Sequence, residues 1–164
     1  SQSRGSAQPE GVLLNPSAAA STETLLAIAR AQAIIVGPGD VHYSVVPNFL
    51  TLGFHDALAA NTTARLVLPV NLSWRAFDTP HWNVLQFLDW WDHYLPTGRE
   101  VIALVNTEPV SFPEVIQDTD PQVEIHGRFR LVRRPIASSV LSRNGQPLHD
   151  QIRFGQALLE IINS

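Results

Sequence analysis

Two continuous apolar runs dominate the pattern of hydrophobic positions along this chain. Residues 33–36 (Ala-Ile-Ile-Val) and residues 65–70 (Arg-Leu-Val-Leu-Pro-Val) lack the polar alternation of a strand with one face in water. Such runs are typical of strands that are buried on both faces of a parallel sheet. Between them, residues 44–60 place apolar side chains at helical spacing, with Pro47 in the first turn, where no amide donor is needed. This order predicts a β-α-β unit with two parallel strands.

The remaining patterns predict further helices and strands in alternation. The helices cover residues 22–31, 82–95 and 150–162. The strands cover residues 12–14, 101–105, 123–125 and 129–132, with loops at residues 107–122 and around Asn144-Gly145. This alternation predicts an α/β fold, Rossmann-like and three-layered, with a mainly parallel sheet. Residues 1–11 are polar and are expected to form a disordered lead-in to one α/β domain over residues 12–164.

The turn after the first apolar run carries the main candidate chemistry. In open α/β sheets, ligands bind outside the carboxyl ends of the strands. Gly37-Pro38-Gly39-Asp40 follows the first run directly, and the next helix begins near Ser44. Two glycines let a ligand approach the backbone, and the amides at a helix start attract anions, so the turn predicts a phosphate or carboxylate cradle. Asp40 could instead cap the helix, bind a ribose hydroxyl or hold Mg²⁺.

Other strand and helix ends offer weaker candidates. Asn71 and Asn106 each end a buried strand, where an amide side chain can bind a base or sugar, or merely satisfy loop backbone. His149 precedes Asp150, a natural first residue for the last helix, so the histidine is either functional or the neighbour of a cap. No nucleophile elbow, Walker loop or Ser-His-Asp spacing occurs, and no catalytic residue or metal site is predicted.

Composition narrows the classes of function. The 164 residues carry a formal charge of −4 at pH 7, and apolar residues interrupt the longest basic run, residues 128–134, so no nucleic-acid partner is predicted. The absence of Cys excludes disulfide scaffolds and thiol catalysis. Apolar stretches are too short to span a membrane and no signal peptide precedes them, which predicts a cytoplasmic protein without a membrane partner. The absence of Met predicts that Ser1 is a processed or truncated end, or that modified residues were left out of the sequence.

The predicted helix over residues 82–95 is unusually aromatic. It contains Trp82, Phe87, Trp90, Trp91 and Tyr94, more than one ordinary apolar stripe needs. Either the helix is deeply buried or its outer face meets a partner. We favour a subunit interface, and therefore expect a homo-oligomer that forms through this helix.

Residues 27–50 resemble the CofD/YvcK family. In that family a helix leads into an apolar strand, then Gly-Pro-Gly-Ser/Asp, a Ser a few residues on, and a hydrophobic-Pro-Asn-hydrophobic helix start. This chain has Gly37-Pro38-Gly39-Asp40, Ser44 and Val46-Pro47-Asn48-Phe49 in the same order. Pro69-Val70-Asn71-Leu72 and Leu148-His149-Asp150 resemble the next strand end and the closing His-Asp of the family.

The resemblance implies one of two activities. One branch contains 2-phospho-L-lactate transferases, which use a nucleotide-activated donor and Mg²⁺; the other contains gluconeogenesis factors, regulators that bind UDP-sugars. The Gly-Pro-Gly-Asp form is similar to the second branch, which implies a non-catalytic regulator that binds a nucleotide or nucleotide-sugar. The residues that the resemblance implies for the cleft are Gly37, Pro38, Gly39, Asp40, Ser44, Asn48 and Asn71.

The resemblance is limited to the later part of the family fold. Residues 73–80 do not match the Gly-Glu-Thr-Asp-Gly-like loop of the regulator branch, and no glycine-rich nucleotide loop precedes the helix at residue 22. We therefore expect the chain to be the C-terminal part of a longer CofD-like domain. A transferase acting with Mg²⁺ and a dimerising interaction module remain the alternative functions.

Overall fold

The computed structural model describes residues 13–74 and 81–164. The α-helices in these residues are α1 (Thr22–Arg30), α2 (Val46–Phe49), α3 (Phe54–Ala60), α4 (Val84–Asp92) and α5 (Gln151–Asn163). The strands are β1 (Ala33–Ile35), β2 (Arg65–Pro69), β3 (Val101–Asn106), β4 (Ile125–His126), β5 (Phe129–Arg134), β6 (Ala137–Leu141) and β7 (Pro147–His149). No helix in this part of the chain is both long enough and apolar enough to cross a membrane.

The central sheet has the strand order β1-β2-β3-β5-β4. Strands β1, β2, β3 and β5 pair in parallel, with Ile35 beside Val67 and Leu68 beside Ala103. Strand β4 pairs with β5 in the antiparallel direction, and β6 and β7 form a separate antiparallel hairpin. The predicted α/β class with a mainly parallel sheet is confirmed.

Alternate residues along the strands serve two different apolar layers. In β3, Val101, Ala103 and Val105 belong to a buried cluster with residues of α1 to α4, whereas Ile102 and Leu104 belong to a second cluster with α5. This period of two is the geometry of a strand whose side chains alternate between faces. The sheet therefore lies between one layer of four helices and a second layer formed by α5.

The prediction of a single helix over residues 44–60 is wrong in one respect, because the helix is interrupted between Phe49 and Phe54. Gly53 has a φ of 83°, which a residue with a side chain adopts only at a cost. The backbone of Leu52 is also hydrogen-bonded to the segment before α1. Its amide donates to the Ala18 carbonyl at 2.8 Å, and its carbonyl accepts from the Ala20 amide at 3.0 Å. A long-range pairing thus ends the helix where the periodicity continues.

One other prediction differs from the structure, and another holds but lacks its two flanking strands. Leu13 and Leu14 lie in no strand and Leu13 is exposed, so the short strand predicted at residues 12–14 is wrong for these two, while Val12 and the predicted lead-in lie outside the described residues. The predicted loop around Asn144-Gly145 is the tip of the β6–β7 hairpin, where Gly145 has a φ of 74°. Asn-Gly is a hairpin signal, but the serine-rich flank Ser138-Ser139 lacks the usual apolar alternation.

Candidate functional site

A cleft of about 350 Å³ opens at the carboxyl ends of β1 and β2. Three segments line it: the turn after β1, the segment after β2, and the tip and second strand of the β6–β7 hairpin. The lining residues are Pro38, Gly39, Asp40, Val41, Asn71, Leu72, Ser73, Gln146, Pro147, Leu148 and His149. This volume lies within the range of small-molecule sites, and the position is where parallel α/β sheets bind ligands.

The Gly-Pro-Gly-Asp turn is held in place by the helix that follows it. The Asp40 carboxylate accepts a hydrogen bond from the Tyr43 amide at 2.9 Å, and the Asp40 carbonyl accepts from Ser44 and Val45. Asp40 is therefore a helix cap as well as a cleft residue. A Cβ atom on Gly39 would lie 3.3 Å from Cγ2 of Val45, so the turn packs tightly against the π-helical turn Val41–Val45.

Asn71, which follows β2, forms two hydrogen bonds with the turn that follows β1. Its Nδ2 donates to the Gly39 carbonyl at 2.8 Å, and its Oδ1 accepts from the Gly39 amide at 3.4 Å. The side chain thus satisfies both polar groups of one residue in the neighbouring turn. Both interpretations of this asparagine hold in part, because it satisfies loop backbone and also lines the cleft.

Three residues of the implied site lie outside the cleft lining. Gly37 has open space where a Cβ would stand, and Ser44 is exposed. Asn48 donates through Nδ2 to the carbonyls of Ser44 at 2.9 Å and Val45 at 3.1 Å. Because Pro47 has no amide proton, the Asn48 side chain supplies donors that this stretch of backbone lacks. The cleft therefore brings together Pro38, Gly39, Asp40 and Asn71 of the seven.

The β6–β7 hairpin supplies the wall of the cleft that sequence reasoning did not assign. Its position depends on Asn106 at the end of β3, whose Oδ1 accepts from the amides of Ile136 at 3.1 Å and Ala137 at 2.9 Å. The sequence did carry a signal for this wall, since His149 stands beside a helix cap. Asp150 indeed caps α5, accepting from the amides of Ile152 and Arg153.

His149 is the titratable group of this wall. Burial lowers the pKa of His149 below its ordinary value, and the backbone of Val70 opposes this shift. Its Nε2 atom is buried without a hydrogen-bond partner. The ring contacts the ring of Phe154 of α5 at a centroid distance of 4.8 Å and an interplanar angle of 44°. A neutral imidazole is therefore fixed in the cleft at neutral pH.

Carboxylates are scarce in the described part of the cleft. Asp40 is the one carboxylate among the described lining residues, and no group of three His, Asp or Glu in these parts of the chain could hold a metal ion. Mg²⁺ prefers an octahedral set of oxygen ligands, of which proteins commonly supply one or two carboxylates. Asp40 alone is a minimal set, so Mg²⁺ remains an expectation of the transferase alternative.

The basic run forms ion pairs with acidic side chains of neighbouring elements. The four pairs are Arg128–Asp92, Arg130–Glu100, Arg133–Asp118 and Arg134–Glu160, at nitrogen–oxygen distances of 2.5, 3.2, 2.7 and 2.9 Å. Phosphate groups of a nucleic acid would have to compete with these carboxylates. The expectation of no nucleic-acid partner stays a prediction.

The aromatic helix packs largely inward. Phe87 and Trp91 are each 1% exposed, and Trp90 is half-buried against His42, Trp82 and Tyr94. Burial thus accounts for much of the aromatic content of α4. The homo-oligomer through this helix stays a prediction; its test is the elution volume of Trp90→Gln, because the buried Trp91 cannot be replaced without loss of the core.

The chain is similar in sequence and in fold to known proteins. The family model described as 2-phospho-L-lactate transferase CofD matches residues 1–131. A "Putative gluconeogenesis factor" of Vibrio cholerae serotype O1 is 29% identical over 147 residues, which cover 90% of this chain and 44% of the relative. Two crystal structures from Bacillus halodurans, one of them titled as a member of the upf0052 family, superpose with TM-scores of 0.71 and 0.66.

The relatives are about twice as long as this chain. The two structures are 23% and 24% identical in sequence, a likeness that shows the fold, and each match covers 86% of this chain and 47% of the other. The family match extends over most of the chain, including the Gly-Pro-Gly-Asp turn and Asn71. The chain belongs to the CofD family of 2-phospho-L-lactate transferase-like proteins.

Proposed function

We propose that the cleft binds a nucleotide or nucleotide-sugar and that the chain acts as a regulatory binding unit of the gluconeogenesis-factor type, without turning the ligand over. The observation that carries this proposal is the cleft itself, which lies at the carboxyl ends of two adjacent parallel strands. The Vibrio cholerae relative, described as a "Putative gluconeogenesis factor", supports the regulatory branch.

The chemistry of the cleft supports such a ligand. The amide and carbonyl of Gly39 are bonded to Asn71, so the side chains of Asp40, Ser73 and Gln146 supply the carboxylate, hydroxyl and amide groups at this opening, together with the remaining hydrogen-bonding capacity of Asn71. These groups hydrogen-bond to hydroxyls of a ribose or hexose and to the edges of a base. Pro147 and Leu148 add an apolar surface against which a ring can pack.

Isothermal titration of the 164-residue chain with UDP-glucose and UDP tests this proposal. We expect saturable heat with UDP-glucose. Asp40→Asn keeps the cap acceptor for the Tyr43 amide but replaces the charged acceptor that would bind a sugar hydroxyl, so it should weaken binding about tenfold. Glu100→Gln is the matched control, because this exposed carboxylate pairs with Arg130 and does not line the cleft. Absence of heat with a folded wild-type chain would contradict the proposal.

A transferase of the 2-phospho-L-lactate type is the second candidate, favoured by the description of the matching family model. In that case the cleft would hold a nucleotide-activated donor, with Asp40 as one oxygen ligand of Mg²⁺. The test is product formation from a nucleotide-activated phospholactate donor in the presence and absence of Mg²⁺. No transfer under conditions where nucleotide binds would favour the regulatory function.

A further inference from the structure

Arg153 lies in the first turn of α5 and reaches back to the β6–β7 hairpin. One nitrogen of its guanidinium donates to the carbonyl of Ala137, the first residue of β6, at 2.6 Å. A second nitrogen donates to the Glu108 carboxylate at 3.0 Å, in the segment that follows β3. One side chain therefore joins three parts of the fold: the last helix, the hairpin and the segment after the central strand.

This contact belongs to a closed circuit of hydrogen bonds. Asn106, at the end of β3, accepts from the Ala137 amide at 2.9 Å through its Oδ1 atom. Its Nδ2 atom donates to the Glu108 carbonyl at 2.7 Å, so the same side chain also holds the segment that carries the carboxylate. Both backbone polar groups of Ala137 are thus bonded to side chains outside the hairpin, one from β3 and one from α5.

The stability of α5 does not explain an arginine at this position. Asp150 is the helix cap, which places Arg153 in the first turn, at the positive end of the helix dipole. A cation there opposes the dipole, whereas an anion is favoured. The ion pair with Glu108 adds little stability, because both side chains are more than one-third exposed. The arginine is therefore best explained by what it holds, which is the base of the hairpin.

The far end of the hairpin depends on this base for its position. Val140 is 65% exposed, and the turn is closed by the hairpin itself, with the Ser142 amide donating to the Gln146 carbonyl at 2.8 Å. A two-stranded hairpin is only marginally stable by itself. A change of orientation at Ala137 therefore displaces Gln146 and Pro147, which line the cleft.

We propose that Arg153 is a positioning residue of the cleft. Held by Glu108, it fixes the β6–β7 hairpin at Ala137 and thereby sets how this wall faces the Gly-Pro-Gly-Asp turn. Arg153 is not among the residues that line the cleft, so it acts on a ligand only through the hairpin. The effect on affinity rests on the proposed function, whereas the position of the hairpin is measurable without a ligand.

The first measurement is the distance from the hairpin tip to α3 by pulsed electron paramagnetic resonance. The sequence contains no Cys, so nitroxide labels attach only at Arg143→Cys and Ala59→Cys, both at exposed positions. We expect one narrow distance distribution in the otherwise wild-type chain and a broader one after Arg153→Met. Arg134→Met is the matched control, because its ion pair with Glu160 of α5 involves no residue of the hairpin.

The second measurement is the affinity for UDP-glucose by isothermal titration. Arg153→Met removes the bond to Ala137 and should weaken binding about fivefold, the effect of one lost hydrogen bond. Glu108→Gln weakens the anchor of the guanidinium and should have a smaller effect in the same direction. The double variant should bind no more weakly than Arg153→Met, because both changes act on the same contact.

The outcomes separate this inference from the proposed function. An unchanged distance distribution in Arg153→Met, or equal broadening in Arg134→Met, overturns the inference whether or not the chain binds UDP-glucose. Broadening with unchanged affinity overturns the effect of Arg153 on the ligand. Broadening in a chain that binds no UDP-glucose supports the hold on the hairpin and contradicts the proposed function. If Arg153→Met does not fold, judged by its thermal transition, Glu108→Gln decides by the same two measurements.

Discussion

The two faces of the central sheet differ in how completely they are covered. On one face, four helices bury Leu66, Leu68, Phe87 and Trp91 among the side chains of one large cluster. On the other face, α5 alone covers a small cluster that includes Val67, Leu104 and Ile161. At the margin of this second face, Ile35 of β1 is 41% exposed although it lies beside the fully buried Val67.

We infer from this difference that one face of the sheet mainly stabilises the fold and the other mainly positions the cleft wall. The apolar burial that drives folding is concentrated on the face of α1 to α4, because burial of apolar surface is the dominant favourable term. The α5 face instead positions the hairpin, since Phe154 of α5 supports His149 and Asn106 holds the start of β6. The cleft lies where the two meet, so stability and ligand recognition should respond to different substitutions.

The largest effect is expected from a cavity on the well-covered face. Phe87→Ala removes a ring that is 1% exposed and packs against Trp82 and Trp91. We expect the free energy of unfolding to fall by about 3–5 kcal/mol, the range for a large aromatic in a close-packed core. Urea denaturation followed by circular dichroism measures this. A loss below about 1 kcal/mol would mean that this cluster does not carry the fold.

A cavity left by a smaller side chain on the α5 face should cost less. Ile161 is 3% exposed in α5, but it belongs to the smaller cluster, whose neighbour Leu158 is only partly buried, so we expect this site to relax more than a fully enclosed one. Ile161→Ala should therefore destabilise by about 2 kcal/mol, the lower end of the range for such a change. The same urea titration gives the comparison. Equal losses at Phe87 and Ile161 would remove the distinction between the faces.

The same contrast explains what the sequence could predict. The buried strands, the helix start at Pro47 and the Gly-Pro-Gly-Asp turn follow from local patterns, because continuous apolar runs and turn residues act within a few positions. The positions of Asp40 and Asn71 in the cleft could be predicted from the sequence for the same reason. Each residue follows a buried strand, and parallel strands bring their ends together.

What the sequence could not predict depends on contacts between distant residues. The break between α2 and α3 follows from backbone pairing of Leu52 with residues more than thirty positions earlier. The hairpin wall depends on the Asn106 side chain accepting amides thirty residues later. Asn48 is a different case: the resemblance implied a cleft residue, but its side-chain amide bonds to carbonyls three and four residues earlier in its own turn. No periodicity encodes these pairings.

Acid should lower the free energy of unfolding through His149, which packs on the α5 side of the sheet. Because burial lowers its pKa below the unfolded value of 6.5, the folded state resists a proton that the unfolded state accepts. The stability contributed by the neutral ring is therefore present above pH 6.5 and is lost as the pH falls toward the lowered pKa. Unfolding free energies at pH 7.5 and 5.5 should differ more for wild type than for His149→Phe. Equal differences would show that the pKa of His149 is not lowered.

The smallest effect is expected on the outer side of α5. Ile152 and Leu159 lie seven residues apart, on the side opposite the buried Ala157 and Ile161, and Ile152 is 71% exposed. Ile152→Gln should therefore change the free energy of unfolding by less than about 0.5 kcal/mol, as surface substitutions do. The measurement is thermal denaturation at two protein concentrations at least tenfold apart. A loss above about 1 kcal/mol that grows with concentration would show that another copy of the chain covers this face in solution, and the incomplete face of the sheet would then be an interface rather than a surface.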